Sequence, residues 1–154
     1  SSKVVKYKGT YGKLPSPKRA GYTFAGWYTS RTGGSKVAAN TKVTKKKNHT
    51  LYARWKKTAV GNAAIGKLTN VSGKKLKVQI KSIKGAKKYQ VYLAEDAKFS
   101  KGKKIVTFGK STGTITKLKK GTTYYVKVRG YCNDSTGKRV YGKFSAVKKI
   151  EIKK

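Results

Sequence analysis

A mainly β fold divided between two small modules is what this sequence predicts, on three observations. Its 36% of apolar residues is weighted towards Val, Ile and Tyr, Met is absent and 17 glycines are spread along the chain, a balance of strand formers and turn formers. Several short segments alternate apolar side chains with lysines at a period of two, the pattern of a strand with one buried face. Composition also changes partway along: both tryptophans and both prolines fall within residues 1–56, which hold no acid. The small-residue stretch Thr58-Ala59-Val60-Gly61-Asn62-Ala63-Ala64-Ile65-Gly66 follows and reads as a linker. The expected organisation is a module over 1–56, a linker over 57–66 and a second module over 67–154. With 154 residues in all, each module is close to the size, about 70–80 residues, below which a single core is only marginally sufficient.

In the first module, Gly21-Tyr22-Thr23-Phe24-Ala25-Gly26-Trp27-Tyr28 and Thr50-Leu51-Tyr52-Ala53-Arg54-Trp55 each alternate large and small or apolar and polar residues, and predict two strands. Arg31-Thr32-Gly33-Gly34 between them predicts a turn, and Lys45-Lys46-Lys47-Asn48-His49 a loop. The order Tyr11-Gly12-Lys13-Leu14-Pro15, then Gly21 to Thr29, then Gly33-Gly34, then Thr50 to Trp55, resembles the Listeria–Bacteroides repeat, the B-repeat type of module in internalin-like surface proteins. The resemblance implies a compact β-grasp-like fold over residues 4–56, with Trp27 and Trp55 as structural residues. The family pattern also opens with an additional strand, expected to be missing or cut short at Ser1.

In the second module, Leu76–Lys81 and Tyr124–Arg129 place apolar side chains on one face and cations on the other. Further strands are expected over Tyr89–Ala94, Lys104–Phe108, Gly113–Leu118 and Val147–Ile152. Around seven short strands at regular spacing suggest a β-sandwich. The run from Leu118 through Tyr124 to Tyr131 is similar to the segment of fibronectin type III domains that carries the tyrosine corner. That resemblance covers residues 66–152 and implies that the Tyr124 hydroxyl returns to backbone near Leu118–Lys120. It also implies an early-strand tryptophan, which this module lacks; Tyr89 and Ile80 are expected to fill that space.

Charge dominates everything else: 40 Lys and Arg stand against four acids, Glu95, Asp96, Asp134 and Glu151. Fourteen cations and no acid precede residue 57, and 26 cations with all four acids lie from Lys57 onward, so the charge is not one detachable tail. Such an imbalance opposes compactness and favours anionic polymers as partners. Solvated strand faces account for many of these lysines, but such faces can equally be built from mixed charge. Runs of adjacent lysines, namely Lys45, Lys46 and Lys47, then Lys74 and Lys75, Lys103 and Lys104, Lys119 and Lys120, are the expected contacts of a diffuse polyanion surface. Only five of the cations are Arg; because the arginine fork reads bases and the lysine ammonium is a hydrated point charge, nucleic-acid binding is expected to be non-specific.

Catalytic and metal chemistry find little support. One histidine, His49, and the adjacent pair Glu95-Asp96 in a loop do not form an acid–base constellation. Three loop carboxylates in so positive a field make a poor calcium site, no phosphate-cradling Gly-x-x-x-x-Gly-Lys-Ser/Thr loop is present, and the single Cys132 excludes an internal disulfide. Cys132 reads as a small buried apolar residue. A Lys–Asn cross-link would need a buried acid in a strand, and Glu151 alone falls in one. Aromatics among the lysines, Tyr7, Tyr11, Tyr22, Tyr28 and Trp55, are candidates for stacking on sugars or bases, though core packing explains them as well. No cofactor is expected, and no apolar run approaches the roughly 20 residues that span a bilayer.

The resemblances imply an extracellular, cell-surface or cell-wall location. The expected function is therefore a non-catalytic structural or adhesive segment of a secreted bacterial protein that holds teichoic acid, acidic polysaccharide or host glycans. Its rivals are a non-specific nucleic-acid-binding protein, and a wall- or carbohydrate-binding appendage of an enzyme with its catalytic domain elsewhere.

Overall fold

The computed structural model describes residues 2–153, and every regular element among them is a β-strand. The chain divides into two compact units: one runs to Thr58 and includes Asp134–Lys138, the other comprises Ala59–Asn133 and the residues from Arg139 onward.

The first unit holds β1 (Tyr22–Tyr28), β2 (Lys36–Val37) and β3 (Tyr52–Lys57) in an antiparallel sheet of order β2-β1-β3. Trp27 lies opposite Ala53 and Phe24 opposite Trp55, with a bulge between Phe24 and Gly26. At the bulge Gly26 has φ 128°, a backbone conformation that glycine adopts without strain. The aromatic alternation of the sequence thus becomes edge-to-face contacts of Phe24 with Trp27 and with Trp55, at centroid distances of 5.7 and 5.4 Å. A small core of Tyr11, Val37 and Val43, flanked by Val5, Leu14, Trp27 and Leu51, lies beside the sheet. Here the opening segment is tied down by backbone: Lys8 N–H donates to Val43 O at 2.9 Å and Tyr11 N–H to Thr41 O at 3.1 Å. The segment Asp134–Lys138 belongs to this unit through Asp134 Oδ2, which accepts from Gly21 N–H at 2.7 Å, and Ser135 Oγ, which accepts from Arg19 N–H at 2.9 Å.

The second unit is a sandwich of two antiparallel sheets. One has β4 (Ile65–Val71), β5 (Lys75–Ile80) and β8 (Thr112–Ile115) in the order β4-β5-β8. The other has β6 (Lys88–Ala94), β7 (Lys104–Phe108), β9 (Thr123–Asn133), β10 (Arg139–Tyr141) and β11 (Lys148–Glu151). It runs β10-β9-β6-β7, and β11 pairs with β9 on the stretch from Thr123 to Val126 while β10 pairs with Tyr131 to Asn133. β10 and β11 are thus two halves of one interrupted edge. The inward set, Leu76, Val78, Val91, Leu93, Val126, Val128 and Ile152, is fully buried, each side chain contributing about 1.5–3 kcal/mol of burial. Ile80 is buried in this core and Tyr89 packs against it. Tyr124 is buried, and its hydroxyl accepts from Lys119 N–H at 3.1 Å. Three-plus-four strand pairing, with β10 and β11 taken as one, and this corner make a fibronectin type III-like sandwich.

The stretch expected to be a linker is built differently. Lys57 closes β3 and Ile65 opens β4, and the residues between are held rather than loose. Gly61 N–H donates to Lys84 O at 2.9 Å, Lys81 N–H to Ala64 O at 2.9 Å, and Val60 and Ala63 pack against the core. Small side chains here permit close backbone approach; a side chain at Gly85, φ 79°, would run into Ala59 O. Three strands also lie outside the sequence expectation: β2, β4 and β10.

Candidate polyanion-binding surface

Six of the nine lysines expected to contact polyanions converge at one end of the second unit. Lys74, in the β4–β5 turn with φ 57°, accepts at its carbonyl from Leu118 N–H at 3.1 Å. Lys104 Nζ donates to Lys117 O at 3.4 Å, so Lys75, Lys103, Lys119 and Lys120 join them around the loop that leads into β9. Lys45, Lys46 and Lys47 form a separate exposed run in the first unit. Lys119 stands apart in its electrostatics: its ammonium pairs with Glu95 Oε1 at 2.9 Å, and that hydrogen bond raises its pKa.

The four acids are occupied locally. Asp96 accepts from the N–H groups of Lys101, Ser100 and Lys98 at 2.7, 2.9 and 3.1 Å and from the Ser100 hydroxyl at 2.8 Å. These bonds, led by that from Lys101, lower its pKa. Asp134 accepts from the Thr136 hydroxyl, Gly21 N–H, Thr136 N–H and Lys138 N–H, which together hold it at about 2. Glu151 reaches Lys153 at 4.0 Å. Among the described residues, no three His, Cys, Asp or Glu side chains gather to hold a metal, and two ion pairs are formed. Among the described residues, few cations therefore have a carboxylate within ion-pair distance.

All five arginines stack on tyrosine rings. Arg19 lies over Tyr22, Arg31 over Tyr52, Arg54 over Tyr28, Arg129 over Tyr141 and Arg139 over Tyr131, at 4.1, 5.7, 4.0, 3.8 and 5.1 Å from the ring centroids. These are cation–π distances. Arg54 also donates to the carbonyls of Ser30 and Gly33 and so clips the β1–β2 loop. Tyr11, in the first unit's core, bonds through its hydroxyl to His49 Nε2 at 2.5 Å, and Trp27 Nε1–H donates to Pro15 O at 2.7 Å. Cys132 is buried on β9 opposite Val140.

The most organised assembly of cations and rings was not singled out from sequence. On the outward face of the β10-β9-β6-β7 sheet, Gln90 lies opposite Arg129, Tyr92 opposite Lys127, and Tyr131 opposite both Lys88 and Tyr141. Arg129 donates from Nε to Gln90 Oε1 at 3.0 Å and from Nη2 to the Tyr92 hydroxyl at 3.1 Å. Its guanidinium lies 3.8 Å from the Tyr141 centroid and 4.7 Å from that of Phe144, while Lys127 Nζ lies 4.0 Å from Phe99 and 4.9 Å from Phe144. Next to it, a cleft of about 320 Å³ is lined by Lys87, Lys88, Tyr131, Cys132, Asn133 and Arg139. Tyr125, Lys127, Arg129 and Tyr131 sit on alternate residues of β9, the one signal in the sequence that could have disclosed this face.

Residues 1–54, within the first unit, match the family model of the Listeria-Bacteroides repeat domain. Similar solved structures include the sixth fibronectin type III domain of human fibronectin type III domain containing protein 3, at 18% identity over 60% of this chain and 84% of that one, TM-score 0.47. An Fn3-like protein from Clostridium thermocellum matches at 18% identity over 57% and 86%, TM-score 0.40. Domains d3–d4 of the rat CD45 extracellular region match at 16% identity over 97% and 83%, TM-score 0.51. At 16% identity that last likeness concerns the all-β fold alone.

Proposed function

We propose that this chain is a non-catalytic structural and adhesive segment of a secreted bacterial surface protein, and that it holds anionic polymers of the envelope or of a host by diffuse lysine electrostatics. One observation carries the reading: 40 cations face four acids, and the described residues form only two ion pairs. A field of this sign concentrates polyanions at the surface without a shaped pocket. The repeat in residues 1–54 supports the surface-protein context, since the fold by itself does not fix function.

Non-specific nucleic-acid binding draws on the same charge. Base-specific reading is disfavoured because each arginine, the residue suited to bidentate base contact, is stacked on a tyrosine of its own fold. A salt titration of binding to two DNA sequences and one acidic polysaccharide of matched charge density tests the proposal. Each neutralised phosphate is expected to contribute about −0.7 to −0.9 to the log–log slope, with little dependence on base sequence. A flat salt response would remove the electrostatic mechanism, and a strong preference for one DNA sequence would favour the nucleic-acid reading instead.

A further inference from the structure

We infer that the outward face of the β10-β9-β6-β7 sheet, centred on Arg129 and Tyr141, is a binding track for an acidic polysaccharide whose charge is carried directly on its sugar rings. The inference rests on the polyanion reading above and narrows it to one face and one polymer chemistry.

The cations at the centre of this face, Arg129 and Lys127, are held in place by their neighbours. Gln90 and Tyr92 engage two of the five N–H donors of Arg129, and the rings of Tyr141 and Phe144 hold its plane at 3.8 and 4.7 Å. Lys127 is seated among Phe99, Phe144 and Tyr92 at 4.0, 4.9 and 5.9 Å. Holding these side chains in place before a ligand arrives removes part of the ordering cost that a free lysine meets on binding. The track is open at the Tyr141 end, where that ring is 37% exposed, and continues into the cleft beside Lys88 and Arg139.

Charge complementarity identifies the occupant. Lys127 and Arg129 take part in neither of the ion pairs among the described residues, and the acids nearest to the track in the chain, Asp134 after Asn133 and Asp96 before Phe99, are bonded to backbone N–H groups. Lys127, Arg129 and Arg139 lie 3.8–5.9 Å from aromatic centroids. That spacing suits a ligand in which anion and ring are directly bonded, as in a uronate polymer. Polyphosphate has no ring to lay against Tyr141 or Phe144, and in nucleic acid a sugar stands between the phosphate and the base. The tyrosine hydroxyls add donors and acceptors suited to sugar hydroxyls.

The test uses the full chain with polygalacturonate and polyphosphate at equal charge concentration and fixed salt. Tyr141→Ser leaves net charge unchanged, so a diffuse field predicts no effect. The track predicts about a tenfold loss for polygalacturonate with polyphosphate binding unmoved. Arg129→Lys, also charge-neutral, should reproduce the selective loss, and it decides the question if the serine variant melts early. Lys77→Gln, on the outward face of the other sheet, should weaken both polymers equally and slightly. If Tyr141→Ser and Arg129→Lys weaken both polymers alike or neither, the track is refuted while diffuse binding stands; if the unmodified chain binds neither polymer, both readings fall. A preference for single-stranded DNA that disappears with Tyr141→Ser would reassign the face to bases.

Discussion

Replacing Tyr124 by Phe deletes one oxygen and tests the loop that leads into β9. The ring is 4% exposed and stays in the core after the change, so the cost is that of the bond Lys119 N–H donates to the hydroxyl at 3.1 Å. A hydrogen bond contributes about 0.5–1.5 kcal/mol net, and a buried donor left unpaired costs about 1–3 kcal/mol. Lys119 carries its side chain in solvent, 72% exposed, so water can reach part of the freed N–H. The expected loss is therefore about 1–2 kcal/mol. With a urea m-value of about 1–3 kcal/mol per molar, the midpoint should fall by about 0.3–2 M. Far-UV circular dichroism is the assay, because Trp27 and Trp55 both belong to the first unit and tryptophan emission should stay where it was. Tyr125→Phe, half-buried on the outward face, is the control, at under about 0.5 kcal/mol. Equal shifts at the two positions, or no shift at Tyr124, would refute the tyrosine-corner reasoning.

Gly113→Ala should destabilise the sandwich by about 1–3 kcal/mol in the same melt, since its new methyl would lie 2.6 Å from the Phe108 ring. Gly109→Ala, with nothing within 4 Å, should stay within about 0.5 kcal/mol of the parent. Asp134, held at about 2 against an ordinary 3.8 by the Thr136 hydroxyl and the Gly21 N–H, stabilises the folded chain above the ordinary value and loses that contribution as pH falls through the lower one. Asp134→Asn should flatten the acid arm of a pH–stability curve between about pH 4 and 2, with a residual slope from Asp96, whose shift has the same sign. Stability should rise on adding salt, because repulsion among the cations is screened over about 10 Å at 0.1 M; a melting temperature that falls steadily with added sodium chloride would contradict this.

The strands legible in the sequence were those with one face fully buried. β5, Lys75 to Ile80, alternates exposed and buried without a break, and β9 keeps its period from Tyr124 to Val128, so the buried set wrote the strand into the residue order. β4 was hidden because Gly66 and a register shift between Ile65 and Lys67 interrupt its alternation, and small residues before it resemble a tether. β2 and β10, of two and three residues, are too short to show a period and exist through their partners β1 and β9. Local lysine pairs could be read directly, yet the Arg129 face could not. Its Tyr92, Lys127, Arg129, Tyr141 and Phe144 come from separate stretches of chain and meet only through strand register.

The edges of the two sheets carry a consequence for bulk behaviour. β4 and β8 end one sheet and β7 ends the other, and β7 shows Ile105 at 49% exposure. Unpaired edges of this kind stay apart while like charge keeps chains from approaching one another. That protection depends on the counter-charge present. A polyanion added up to charge equivalence cancels it, and excess polymer restores it with the opposite sign. Turbidity should therefore pass through a maximum as polymer is titrated in, clear on both sides, with the protein gathered into a dense layer wherever the surrounding polymer matches its valence.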